Sequence, residues 1–195
     1  KMEAIVQKGL EPKNIDYEAE YTLDKEKKEF QRDIGWFGKY CFPKALAKDT
    51  PPFHRDIYKQ LKDSETKRVL IAAPRGTAKS TVCSLIFPLY KIAYKKPDED
   101  LFIVVVSESQ AQSVNFLSRI KYHLDHSDNF KQIFGDFSSA TAKRWTGADI
   151  ILKNGTRIVA VGTGQRVRGF IEGDTRPNVI IVDDFESELN AFTPE

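Results

Sequence analysis

The stretch "VLIAAPRGTAKST", residues 69 to 81, passes from an apolar string through Pro-Arg-Gly into Lys-Ser-Thr. A phosphate-gripping loop needs a buried strand, a turn whose backbone N–H groups converge, a lysine to meet the β/γ-phosphates, and a hydroxyl for Mg²⁺ where the next helix starts. That order is present as a strand over 68–73, a turn over 74–78, and Lys79, Ser80 and Thr81 opening a helix. Against the pattern G-x-x-x-x-G-K-[ST], Ala73 and Ala78 stand where glycine is expected, and Gly76 is the only glycine. Alanine keeps its N–H, so the fan of amides survives if φ at these positions stays negative. The plainer alternative is a helix start carrying a solvated lysine.

A nucleoside triphosphatase also needs one acid that holds Mg²⁺ and a second that polarises the attacking water, both at a strand end beside the loop. "VIIVDD" ends an apolar run with Asp183 and Asp184, 104 residues beyond Lys79, which leaves room for an intervening strand. Adjacent acids after a strand also occur as simple surface turns. The two halves in this order, each in its own strand-end context, read together as an ATP site.

The rest of the chain supports an α/β organisation. "PPFHRDIYKQLKD" follows prolines and spaces Phe53, Ile57 and Leu61 for a short amphipathic helix. "KSTVCSLIFPLYKIAYKK" is a helix that Pro88 should kink. "DLFIVVVSES" is a buried strand, and the helix after it is opened by a serine cap. Asn154-Gly155 between two alternating runs predicts a β-hairpin, since both residues tolerate positive φ. Three apolar strands, over 68–73, in "DLFIVVVSES" and in "RPNVIIVDDFESE", with helical crossovers argue for a mostly parallel sheet covered by helices.

Composition bounds the function classes. The chain has 195 residues, 41% hydrophobic and 30% charged, the balance of a globular domain. No apolar run nears the ~20 residues that span a bilayer, and no signal-peptide pattern is read. Net charge is +2, which does not announce a nucleic-acid binder. Residues 1 to 34 carry seven Lys/Arg against nine Asp/Glu, leaving 23 against 19 in the remainder. That first segment is expected to be an N-terminal arm or linker, either mobile or a short helix packing on a partner. Cys41 and Cys83 are too few for a zinc framework and fit a reducing cytoplasm. His123 and His126 lie near Asp125 and Asp128, but no further ligand cluster joins them, and a solvated helix end is the simpler reading. A chain opening on Lys-Met and stopping at Glu195 after an acidic segment reads as a piece of a longer protein.

Taken jointly, "PPFHRDIYKQL", "AAPRGTAKST", "IVVVSESQAQ", "RWTGADI", "GTGQRVRGF" and "RPNVIIVDDFE" resemble the N-terminal ATPase domain of a tailed-phage large terminase, the motor that packs DNA into procapsids. The resemblance covers residues 35 to 195 and implies a P-loop NTPase fold of the additional-strand type. Its loop is a deviant Walker A in which Arg75, four residues before Lys79, senses or stabilises the γ-phosphate. The implied nucleotide-binding set is Pro74, Arg75, Gly76, Thr77, Ala78, Lys79, Ser80 and Thr81, with Phe53 and His54 in the adenine-contacting region. Core packing explains Phe53 as well. Ser80 and Asp183 are the implied Mg²⁺ residues. Asp184 stands where the family usually has the catalytic Glu; being one methylene shorter, it leaves Glu186 as a substitute.

The same resemblance implies ATP and Mg²⁺ as cofactors and double-stranded DNA as cargo. It also implies a portal protein and a small terminase subunit as partners, a ring-shaped homo-oligomer, no membrane, and the cytoplasm of an infected bacterial host. Arg166 and Arg168 become candidates for a nucleotide- or DNA-facing loop, and Arg119 or Lys121 for action on a neighbouring subunit. The family's coupling motif and nuclease domain lie beyond the acidic strand and are not in these residues. The competing readings are a helicase-like P-loop ATPase acting on nucleic acid, a nucleotide-binding fragment without turnover, and, less well matched, a small-molecule kinase.

Overall fold

A computed structural model describes residues 17–47, 50–63, 65, 67–163 and 175–184. Their helices are α1 (Tyr17–Arg32), α2 (Ile34–Cys41), α3 (Pro52–Lys62), α4 (Phe87–Ala93), α5 (Gln110–His126) and α6 (Asp128–Phe134). The strands are β1 (Phe102–Ser107), β2 (Arg144–Trp145), β3 (Asp149–Ile151), β4 (Arg157–Gly162) and β5 (Val179–Val182). They form one mixed sheet in the order β2-β3-β4-β1-β5. β1 runs parallel to both β4 and β5, while β2–β3 and β3–β4 are antiparallel.

β1 reads as an unbroken apolar run because both of its faces are covered. Ile103 and Val105 join Ile158 and Ala160 of β4 in the main core, whereas Phe102 and Val104 pack with Val159 and Val161 on the opposite face. Phe37 of α2 is the aromatic hub of the helical side, with the rings of Phe42, Tyr90, Phe130 and Phe134 at 5.5 to 6.3 Å. α1 is tied to this layer: Tyr90 and Tyr94 donate hydroxyl hydrogens to the carbonyls of Gln31 and Lys27 at 2.7 and 2.8 Å. At the start of α5, Ser109 accepts from the Gln112 N–H as the cap. The Gln110 amide then donates to the Ala160 carbonyl and accepts from the Gly162 N–H, clamping α5 to the end of β4. A Cβ on Gly162 would come within 2.5 Å of the Gln110 backbone nitrogen, so only glycine permits that approach.

Several local expectations change. Residues 68–73 do not enter the sheet; Leu70 is 97% exposed there, and only Ile71 packs against the core. An apolar run signals burial only where a ladder partner and a covering layer meet it, and among the described residues this segment has no strand partner. Among the described residues β5 ends the sheet on that side, with Ile180 and Val182 more than half exposed. The parallel set is therefore β4, β1 and β5, with an antiparallel pair at the other end.

The hairpin forms at Asn154-Gly155, but only Gly155 takes positive φ. Asn154 instead accepts from the Thr156 N–H through its side chain. In α3 Ile57 is buried and Leu61 packs against the core as their spacing predicts, but Phe53 is 37% exposed, and His54 and Tyr58 complete the buried face. Pro88 acts through a change of winding. Residues Thr81–Ile86 form a π-helical segment, closed by Phe87 N–H to the Val82 carbonyl, before α4 begins. A proline cannot donate and its ring crowds the carbonyl one turn back, a conflict that the wider turn relieves.

Candidate functional site

The C-terminal ends of the parallel strands gather the chemistry-bearing residues, the usual place for a ligand in an open α/β sheet. β5 delivers Asp183, whose backbone N–H still bonds the Val106 carbonyl of β1, at 3.0 Å. Its carboxylate Oδ2 accepts from the Ser84 hydroxyl at 2.6 Å. Ser84 is fully buried in the π-helical segment that follows the loop, so this bond joins the acidic strand end to the loop's own helix. Cys83, the residue before Ser84, feels the charges of both halves of the site. Its thiol is pushed up to about 12, first by burial and further by the Asp183 carboxylate, with Lys79 pulling the other way. The lysine and the acid thus act on one thiol with opposite sign.

The loop itself is closely held. Lys79 donates its ammonium to the Ala73 carbonyl and, at 3.0 Å, to the Pro74 carbonyl. Thr77 donates its hydroxyl to Pro74 at 2.6 Å. From outside the loop, His54 Nε2 donates to the Thr77 carbonyl at 2.7 Å, so that nitrogen carries its hydrogen. His54 is 5% exposed and braces the loop, and Phe53 sets its ring edge-on at 4.5 Å from the imidazole. Arg75 and Gly76 form the exposed turn, with Gly76 at φ +80°.

Ala78 sits at φ +58°, contrary to the negative φ expected for an alanine in a glycine position. The left-handed region costs a residue with a Cβ about 1–2 kcal/mol, so the loop carries strain where a glycine would carry none. Ser80 has helical φ and ψ, and the N–H of Val82 bonds the Ala78 carbonyl, so Ser80 and Thr81 open the first turn.

Asp184 is exposed and also in the left-handed region, at φ +48°, a conformation that aspartate tolerates better than most residues. Its carbonyl accepts from the Glu108 N–H at 3.0 Å, and its carboxylate meets the Gln112 amide at 3.5 Å. The two acids therefore part: Asp183 turns toward the loop helix and Asp184 toward α5. Ser84 was not singled out from the sequence; its spacing of four from Ser80, one helical turn, is the signal that points to it.

The remaining candidates fall elsewhere. Lys121 donates to the Thr146 carbonyl at 3.1 Å and lies over the Trp145 ring, while Arg119 is exposed on α5. His126 donates Nδ1–H to the Tyr122 carbonyl and stacks on that ring, and His123 pairs with the Ser127 hydroxyl. Among the described residues no group of three or more His, Cys, Asp or Glu is placed to hold a metal. Arg166, Arg168 and Glu186 lie outside the described residues. No described helix is long and apolar enough to cross a membrane. Neither the protein-family models nor the curated proteins compared with the chain match it.

Proposed function

We propose that the chain is a Mg²⁺-dependent ATPase, the ATP-binding and hydrolysing motor part of a terminase-like large subunit that drives double-stranded DNA into procapsids. The observation that supports this most is the Ser84–Asp183 bond, because it sets an acidic strand end against the helix that leaves a lysine-bearing loop. The donors fit Mg²⁺, a hard cation that prefers oxygen: the Ser80 hydroxyl and the Asp183 carboxylate would hold it. When bound, Mg²⁺ supplies neutralisation of the charge on the β- and γ-phosphates.

The chain's own residues do the rest. Lys79 exchanges the Ala73 and Pro74 carbonyls for phosphate oxygens, a trade of neutral acceptors for charged ones that favours binding. The amides of the 75–79 turn and the first turn of the helix add donors to the same anion. His54 keeps the Thr77 carbonyl turned away from the phosphates, so the loop presents N–H groups rather than oxygens. Arg75, on the exposed turn, meets charge that builds on the γ-phosphate as the bond to the leaving oxygen breaks. Asp184 orients the attacking water and accepts its proton. Portal, small subunit and a ring of copies belong to the same proposal, with the neighbouring subunit supplying a further cation.

The test is phosphate release from Mg²⁺-ATP by wild type and Asp184→Ala. Turnover in wild type, with ATP bound but not cleaved by Asp184→Ala, supports the assignment. Equal turnover in both moves the water-activating role to another acid, Glu186 first. Binding without release in wild type leaves a nucleotide-binding unit that does not hydrolyse.

A further inference from the structure

A groove of about 440 Å³ runs between the α1–α2 junction and α3, well defined in charge. Four cations line it: Arg32 on one wall, and Arg55, Lys59 and Lys62 on the other. The last three fall at i, i+4 and i+7 of α3, a single helical face extending about 10 Å along the axis.

Two carboxylates, Asp33 and Asp63, also line it, so four cations against two acids leave the lining net positive. Asp33 caps α2, accepting from the Gly35 and Trp36 N–H groups at 2.7 and 3.2 Å, and Asp63 accepts from the Glu65 N–H at 3.0 Å. Lys62 bridges the groove by its bond to the Arg32 carbonyl at 2.5 Å. Among the described residues no carboxylate lies within ion-pair distance of Arg55 or Lys59.

From this we infer that the groove is a docking surface for the sugar-phosphate backbone of a polynucleotide. A small-molecule pocket encloses most of its ligand's surface in a concave site. Here all but Ile34 and Tyr58 of the lining residues are exposed, and six of the eight are charged. An open trough with three cations along one helix face and a fourth on the facing wall suits an extended polyanion, whose charge repeats along its length. Such contacts position a nucleic acid without reading its bases. The inference rests on the motor reading only for naming duplex DNA as the natural cargo; the charge geometry does not involve the phosphate loop.

The experiment measures binding of a labelled DNA duplex by anisotropy across a salt series, without nucleotide. Four proteins are compared: wild type, Arg55→Gln/Lys59→Gln, a control Lys95→Gln/Lys96→Gln, and Lys79→Ala. Each lost phosphate contact reduces the slope of log K against log salt by ~0.9, so the groove variant should lose ~1.8 of slope. The control should lose none. Arg55 and Lys59 are exposed, and an unchanged melting temperature verifies that the fold persists. Retained DNA binding by Lys79→Ala separates this surface from the ATP site, whichever way the ATPase assignment falls. An unchanged slope in the groove variant, an equal loss in the control, or no duplex binding by wild type overturns the inference.

Discussion

Ser84 Oγ donates to Asp183 Oδ2 at 2.6 Å, a bond between residues 99 apart in sequence that brings the end of β5 to the helix behind the loop. A charged acceptor makes this one of the stronger hydrogen bonds, worth roughly 1.5–3 kcal/mol, and both partners are at least partly withdrawn from water. Ser84→Ala should lower unfolding free energy by about 1–3 kcal/mol in a denaturant titration. It should leave ATP binding within a few-fold of wild type while slowing phosphate release, because the acid is no longer held in place. A variant with wild-type stability would show that the bond does not persist in solution.

Ala78 offers a substitution that should help. Replacing it with glycine removes a left-handed penalty of about 1–2 kcal/mol and adds roughly 0.4–1 kcal/mol of unfolded-state entropy. The net expectation for Ala78→Gly runs from no change to a stabilisation of about 1.6 kcal/mol. Ala73, which does not have positive φ, provides the contrast: Ala73→Gly should be neutral or destabilise by up to ~1 kcal/mol. Two equal losses in thermal denaturation would contradict the loop geometry.

Cys83 reports on the distance between the two halves of the site. Asp183 raises its thiol pKa and Lys79 lowers it. Asp183→Asn should therefore speed alkylation of Cys83 at mildly alkaline pH, and Lys79→Ala should slow it, because only the thiolate reacts. Cys41, 2% exposed and with its thiol also pushed up to about 12, should stay silent in site-resolved mass spectrometry. Alkylation rates insensitive to both substitutions would place the charges too far away to act.

His123 gives a pH signature. Burial first, then the charges of Arg119 and His126, hold its pKa below the ordinary 6.5. The unfolded chain therefore takes up a proton more readily than the folded one. The associated stability is complete above pH 6.5 and is lost as pH falls through that value toward the folded pKa. The drop in melting temperature between about pH 7.5 and about pH 5.5 should be smaller in His123→Gln than in wild type.

What the sequence could disclose depended on whether a residue's role was local. β1, the serine-capped α5 and the Asn154-Gly155 hairpin were readable because apolar runs, a cap and a turn each act within a few residues. Residues 68–73 carry the same apolar signal as β1, yet pairing depends on a distant partner that the run does not encode. β2 spans two residues and α6 only seven, too short for a period to emerge. Lys79, Ser80 and Asp183 stood out by order and context. Ser84 did not, because a serine inside an apolar helical pattern looks neutral until a carboxylate from another strand meets it. His54 was legible as a polar residue of interest, but its bond to Thr77 depends on where α3 packs, which its own spacing did not fix.

The most direct measurement is equilibrium binding of ATP with Mg²⁺ to wild type and to Lys79→Ala, followed by calorimetry. The account predicts saturable one-to-one binding by wild type and its loss, by at least ~100-fold, in the folded variant, the cost of ~3 kcal/mol of charge-assisted contact to the phosphates. Equal affinity in the two proteins would contradict it and return the 74–81 turn to a helix start with an ordinary lysine.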